Sequence, residues 1–197
     1  MSMLNYSAGP RERPKAERWN VSKEVLDTAL VCYRDNCKYL KNCSIEYIPI
    51  GGGVSPDVSE GSIVAEGDCG LEESCYIDST GHFNAVEFQI ACNQIMYTMF
   101  AEVVRRRLVR SFLPLDLDGY WERRLPNVLI TNVNSVFRRV INPRKFRARH
   151  QLDRSYLIGE RAFWESRISY TDDEDGLAEG TVVGTMWLGA KLPPKGS

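Results

Sequence analysis

Apolar positions run through residues 83–104, "FNAVEFQIACNQIMYTMFAEVV", at every offset of a helical repeat rather than along one stripe. A helix that is apolar on nearly all faces belongs inside a fold, not on its surface. At 1.5 Å per residue, roughly 22 residues make a rod about 33 Å long. Arg105-Arg106-Arg107 closes it, where cations oppose the negative end of the helix dipole. Asn84-Ala-Val-Glu87 opens it with the spacing of a capping box.

The flanking segments carry other periods. In 21–31, Val21, Val25, Leu26, Ala29 and Leu30 fall on one face, which predicts a shorter amphipathic helix. Ser44–Ile50 alternates and ends at Gly51-Gly52-Gly53, a flexible connection reaching Pro56, and Ser62–Glu66 reads as a short strand. Beyond the long helix the period drops to two. Residues 128–140, 146–152, 162–170 and 181–192 are rich in β-branched and aromatic side chains. Turns are expected at Asn142-Pro143, Ser155 to Gly159 and Asp172–Gly180. The acidic run Asp172–Asp175 reads as a solvated hairpin tip. Residues 1–18 read as a flexible tail, and 19–197 as a single domain. One buried helix followed by a strand-rich half is an α+β pattern. An antiparallel sheet that must cover so apolar a helix wraps around it, which is the layout of a hotdog fold.

Composition narrows the class. The chain has 197 residues, 43% hydrophobic and 26% charged, with net charge −1. That suits a soluble globular protein and offers no cationic excess for nucleic acid. No apolar run reaches the length of a membrane span, and no signal peptide opens the chain. The six cysteines form no C-x-x-C pair, and two histidines do not complete a zinc set, so no metal is expected. The thiols are read as reduced, in a cytoplasmic protein.

Candidate chemistry gathers at the start of the long helix. His82 is the evident general base, because an imidazole titrates near neutrality. The amides from Phe83 and Asn84 to Val86 can receive an oxyanion at the positive end of the helix dipole. Asn93, on an apolar helix, needs a polar partner. Cys75 and Cys92 are alternative nucleophiles, although a thiol on an apolar helix usually stays protonated. His150 reads as structural. Arg138, Arg139, Arg144, Lys145, Arg147 and Arg149 form a basic cluster, either a solvated face or a docking patch for phosphate.

The stretches "CYIDSTGHFNAVEFQIACNQIMY" (75–97), "YRDNCKYL" (33–40) and "FRRVINPRKFRAR" (137–149) resemble the FcoT-type long-chain fatty acyl-CoA thioesterase family, which has a hotdog fold. They also resemble actinobacterial relatives that add glycine to the β-carbon of an α,β-unsaturated acyl thioester and then hydrolyse the thioester. The resemblance implies acyl-thioester chemistry at Tyr33, Tyr76 and Asn93. It further implies a substrate on the phosphopantetheine of an acyl carrier protein or on coenzyme A, no other cofactor, and at least a homodimer. Phe83, Asn84, Arg138, Arg139 and Lys145 are the expected substrate contacts. Hotdog dehydratases place a carboxylate four residues before a helix glutamine. Here Gln94 is preceded at that spacing by Ile90, so dehydration is not expected. Two alternatives stay open: a plain acyl-CoA thioesterase that ignores glycine, and a non-catalytic acyl-chain binder.

Overall fold

The computed structural model describes residues 15–49, 61–78 and 80–189. In chain order these form β1 (Glu17–Asn20), α1 (Lys23–Leu30), β2 (Ser44–Pro49), β3 (Gly61–Cys69), α2 (Ala85–Arg105), α3 (Leu117–Arg123), β4 (Val128–Arg139), β5 (Phe146–Ile158), β6 (Arg161–Thr171) and β7 (Leu177–Trp187). The strands make one antiparallel seven-stranded sheet, ordered β1-β2-β3-β5-β6-β7-β4. The α+β hotdog layout expected from the sequence is the one observed.

Alternation builds the concave face. Phe146, Ala148, His150 and Leu152 of β5 are buried, as are Ala162, Trp164, Ile168 and Tyr170 of β6, while the intervening side chains are exposed or half-buried. These inward side chains join α2 in one core. Gly184 makes room for Trp164, since a Cβ there would stand 2.3 Å from the indole. Fifteen α2 residues from Glu87 to Val104 are buried, which fits their all-round apolar pattern.

The polar residues inside α2 are partnered. Gln94 Oε1 accepts from the amides of Tyr39 (2.9 Å) and Leu40 (3.0 Å), and its Nε2 donates to the Cys37 carbonyl. It therefore pins the loop between α1 and β2 to the helix. Glu102 accepts from Trp19 Nε1 (2.7 Å), Arg105 (2.7 Å) and Arg106 (3.2 Å), fastening β1 to the helix C-terminus. Burial pushes its carboxyl up, but those donors more than offset burial and hold it below the ordinary range.

Several element limits differ from expectation. Residues 17 and 18, expected in the tail, lie in β1, whereas 1–14 lie outside the described residues, as do the glycine-rich connection at 51–56 and residues 190–192. β5 runs through the turn expected at Ser155. A register shift between Leu152 and Arg154 turns Ser155 inward and lets the strand continue to Ile158. α3, capped by the Asp116 side chain accepting from Gly119 N (2.8 Å), has no counterpart in the expected elements. The acidic run is not uniformly solvated. The Asp172 carboxylate accepts from the amides of Asn142 (2.6 Å), Glu174 (2.8 Å) and Gly176 (2.7 Å), clamping the β6–β7 turn to the β4–β5 turn.

Candidate functional site

The start of α2 is capped as the sequence indicates. Asn84 is extended (φ −120°, ψ −179°), and its Oδ1 accepts from Val86 N (3.0 Å) and Glu87 N (3.3 Å). Glu87 Oε2 reaches back to Asn84 N at 3.0 Å. Phe83 N donates to the Ile141 carbonyl at 3.1 Å. Of the amides expected to receive an oxyanion, these bonds commit Phe83, Asn84 and Val86. Only Ala85 N–H is left with no protein acceptor among the described residues. Because Asn84 Oδ1 is the acceptor, Nδ2 points the other way and is a second donor with no protein partner among the described residues.

These residues border an open cleft of about 480 Å³ between His82–Ala85 and residues 137–140, the end of β4 and the residue after it. His82 is exposed, and its Nδ1 lies 3.1 Å from the Thr80 carbonyl. A carbonyl only accepts, so the neutral ring carries its proton on Nδ1 and keeps the Nε2 lone pair available. The Tyr76 hydroxyl donates to Asn84 Oδ1 at 2.9 Å. Its proton is thus committed to the cap rather than offered to a ligand. The Phe83 ring is buried against Phe146 (4.6 Å between centroids) and Tyr170 (5.0 Å).

The other two expected catalytic residues lie elsewhere. Asn93 is eight residues beyond Ala85, about 12 Å along the axis. It is half-buried rather than buried, and its Oδ1 accepts from Gln89 Nε2 at 2.8 Å. Gln89 is not among the expected site residues, although its i, i+4 spacing to Asn93 signals the pair. Val86, Gln89, Ile90 and Asn93 form the least covered stripe of α2. Tyr33 is half-buried against the core. Burial, then its neighbours Tyr97 and Cys32, pushes its phenol far up, so it stays protonated and can donate. No hydrogen bond joins Tyr33 to Asn93 among the described residues.

The remaining candidates sort by surroundings. Burial holds the Cys92 thiol up at about 12, and its neighbour His150 Nδ1, at 3.9 Å, is held down at about 4 by the same burial. Both are neutral, so Cys92 is not an activated nucleophile. The basic cluster is interleaved with acids: Arg138 with Glu179 (2.9 Å), Lys145 with Asp173 (2.6 Å), Arg149 with Glu66 (3.3 Å), and Arg147 with Asp68 and Asp173. Arg139 donates to the Asp175 carbonyl and pairs with no carboxylate among the described residues. Arg138 and Arg139 border the cleft beside His82, whereas Lys145 borders a separate one with Asp68, Arg144 and Asp172. Among the described residues there is no cluster of metal-ligating side chains, and no helix is long and apolar enough to cross a membrane.

Residues 28–186 match the model of the FcoT-like thioesterase domain. A (2E)-enoyl-[ACP] glycyltransferase of Streptomyces coeruleorubidus is 37% identical over 122 residues, 62% of this chain and 67% of that protein. One from Mycobacterium tuberculosis (strain ATCC 25618 / H37Rv) is 32% identical over 167 residues, 82% of this chain and 85% of that protein. The solved structure of zebrafish thioesterase superfamily member 2 covers 85% of this chain and 95% of its own at 12% identity and a TM-score of 0.42.

Proposed function

This chain belongs to the FcoT-like thioesterase family, and we propose that it adds glycine to an α,β-unsaturated acyl thioester on an acyl carrier protein and then hydrolyses the thioester. The observation that carries the reading is one cleft bordered by both an uncommitted helix-terminal amide, Ala85 N–H, and a base of fixed tautomer, His82. The glycyltransferase relatives supply the substrate class.

Glycine is an ammonium at neutral pH, and His82 Nε2 takes its proton. The freed amine bonds to the β-carbon, and the electron pair of the C=C bond shifts onto the thioester oxygen as an enolate. Ala85 N–H and Asn84 Nδ2 hold that charge, and the dipole of α2 reinforces them. The protonated His82 then returns a proton to the α-carbon. In the second step water attacks the same carbonyl, the oxyanion rests on the same donors, and the phosphopantetheine thiol leaves. The released product is an N-carboxymethyl-3-amino acid. Tyr76 acts through Asn84, whose amide it orients. Arg139, without a carboxylate partner among the described residues, is assigned to the phosphate of the pantetheine arm, with Arg138 beside it.

Asn93 is assigned to orient the hydrolytic water and Tyr33 to hold glycine or the thioester. About 12 Å along α2 separates Asn93 from Ala85, too far for one carbonyl to meet both. In this reading the complete site is shared between two copies of the chain, each giving one half. The edge strand β4 offers the surface for the second copy. Among the described strands it pairs only with β7, and Leu129, Val133 and Phe137 are exposed along it.

The test supplies enoyl-carrier-protein thioester and glycine and follows products by mass spectrometry. A glycine adduct released as free acid is expected, and free enoic acid alone would refute the addition. The family's thioesterase description favours a second reading, hydrolysis alone. Turnover of saturated acyl-CoA that is indifferent to glycine would establish it.

A further inference from the structure

Arg124 is a buried cation that the reaction above leaves unused. It stands at the end of α3, 5% exposed, and pairs with no carboxylate among the described residues. Its Nη1 donates to the Trp121 carbonyl (3.1 Å) and its Nη2 to the Thr28 carbonyl (2.9 Å), while Nε is buried without a partner. A guanidinium has five N–H donors in a planar fork. Two are engaged here, so three remain, Nε–H among them. The negative end of α1, where Thr28 lies, and the Trp121 ring, 4.9 Å from the guanidinium carbon, offset part of the charge. Neither engages Nε–H. Buried charges and buried donors are ordinarily paired, and the two carbonyl bonds hold this fork rigid with its remaining donors unspent.

Hydrogen bonds place the fork beside the half of the site that contains Tyr33 and Asn93. Thr28 lies in the last turn of α1, and Tyr33 follows that helix directly, its N–H bonded to the Leu30 carbonyl at 3.0 Å. That is the one hydrogen bond of Tyr33 among the described residues, so its hydroxyl is free to donate. From α3, the Tyr120 hydroxyl donates to the Tyr97 carbonyl at 2.8 Å, and Tyr97 lies one turn beyond Asn93 on α2. The end of α1, α3 and this stretch of α2 therefore meet around Arg124. Charge agrees with position. Burial leads in raising the phenols of Tyr33 and Tyr97, and Arg124 is the cation that draws both back.

We propose that Arg124 is a carboxylate-binding residue, whose free Nε–H and unspent Nη N–H groups take the carboxylate of glycine, with the Tyr33 hydroxyl as a further donor. A carboxylate offers two oxygens in one plane, which is the shape a guanidinium fork accepts. Burial of the fork limits its ligand to a small carboxylate. Held by that end, glycine keeps its amine free for deprotonation and attack. The choice of glycine rests on the function proposed above, but the carboxylate site itself does not.

Calorimetric titration with acetate, glycine and glycinamide tests the site apart from the reaction. Acetate and glycine are expected to bind the wild-type chain, and glycinamide, which lacks the carboxylate, is not. Arg124→Lys keeps a cation but loses the fork, and is expected to weaken both ligands about tenfold or more. Arg124→Gln is expected to abolish binding, with folding checked by circular dichroism. No binding of acetate or glycine to the wild-type chain, or affinity unchanged in the folded Arg124→Lys protein, would overturn the site whether or not glycine is added to a thioester. In turnover, Arg124→Lys is expected to raise KM for glycine about tenfold or more and to keep kcat at saturating glycine. A fall in kcat at unchanged KM would make Arg124 a structural residue and overturn its part in the reaction. Carboxylate binding that depends on Arg124, without any glycine adduct, would keep the site and refute the proposed function instead.

Discussion

The amide assigned to the oxyanion is the one that a capped helix ordinarily leaves without an intrahelical partner, and in α2 its residue borders the cleft beside His82. Ala85 is the first helical residue, where proline is tolerated because its N–H has no intrahelical partner. The extended backbone of Asn84 also suits a residue preceding proline. Ala85→Pro therefore deletes the proposed oxyanion donor without breaking the helix. The expected result is a loss of about 100- to 1,000-fold in kcat, some 2.7–4 kcal/mol, with an unchanged melting temperature. Near-normal kcat would remove the amide from the mechanism. At His150 the consequence is for stability. Burial lowers its folded pKa from 6.5 to about 4, so the unfolded chain binds the extra proton between those values. Its contribution is complete above about 6.5 and is lost as pH falls through about 4, on the order of 3 kcal/mol. His150→Leu is expected to flatten the urea-unfolding free energy across that window, and an unchanged slope would contradict this.

Among elements, the two turns beside the cleft depend on one carboxylate. Asp172 accepts from Asn142, Glu174 and Gly176, and β4 and β5, which flank Asn142, carry Arg139 and Phe146. Burial pushes Asp172 up, but these amides outweigh burial and hold it below the ordinary carboxylate range. Its contribution is therefore present above that range and is lost as pH falls through its lowered pKa. Asp172→Ala is expected to cost about 1–3 kcal/mol by denaturant unfolding. It should also raise hydrogen exchange at 140–146 and 172–177. Wild-type protection there would mean the clamp is not what orders the turns. An acidic tetrad in the sequence looks uniformly solvated because sequence does not say which carboxylate finds three amides. The capping box, by contrast, was legible because both of its partners lie within four residues.

At the scale of the molecule, the proposed site is divided between the N-terminus of α2 in one copy and Asn93, further along α2, in the other. Mixing denatured Ala85→Pro and Asn93→Ala chains and refolding them together tests this. In a mixed dimer with composite sites one site keeps both wild-type residues, so turnover absent from either variant alone is expected to reappear. Continued inactivity, with mixed dimers verified by native mass spectrometry, would place each site within one chain. A Val133→Lys change on the β4 edge is expected to yield monomers by sedimentation and to abolish turnover with the fold intact.

Sequence by itself determined what depends on neighbours along the chain. The buried helix, its cap, the alternating strands and the family resemblance all follow from residues a few positions apart, where period and spacing act directly. The register shift that carries β5 past Ser155 was not readable, because bulges are set by what the inward side chains must meet. Only the tertiary structure decided which amide of the cap stayed uncommitted, since Phe83 N finds its acceptor at Ile141, far along the chain. It also paired the basic cluster with acids and parted Lys145 from Arg139. Those outcomes rest on contacts between distant segments, and packing rather than local spacing selects them.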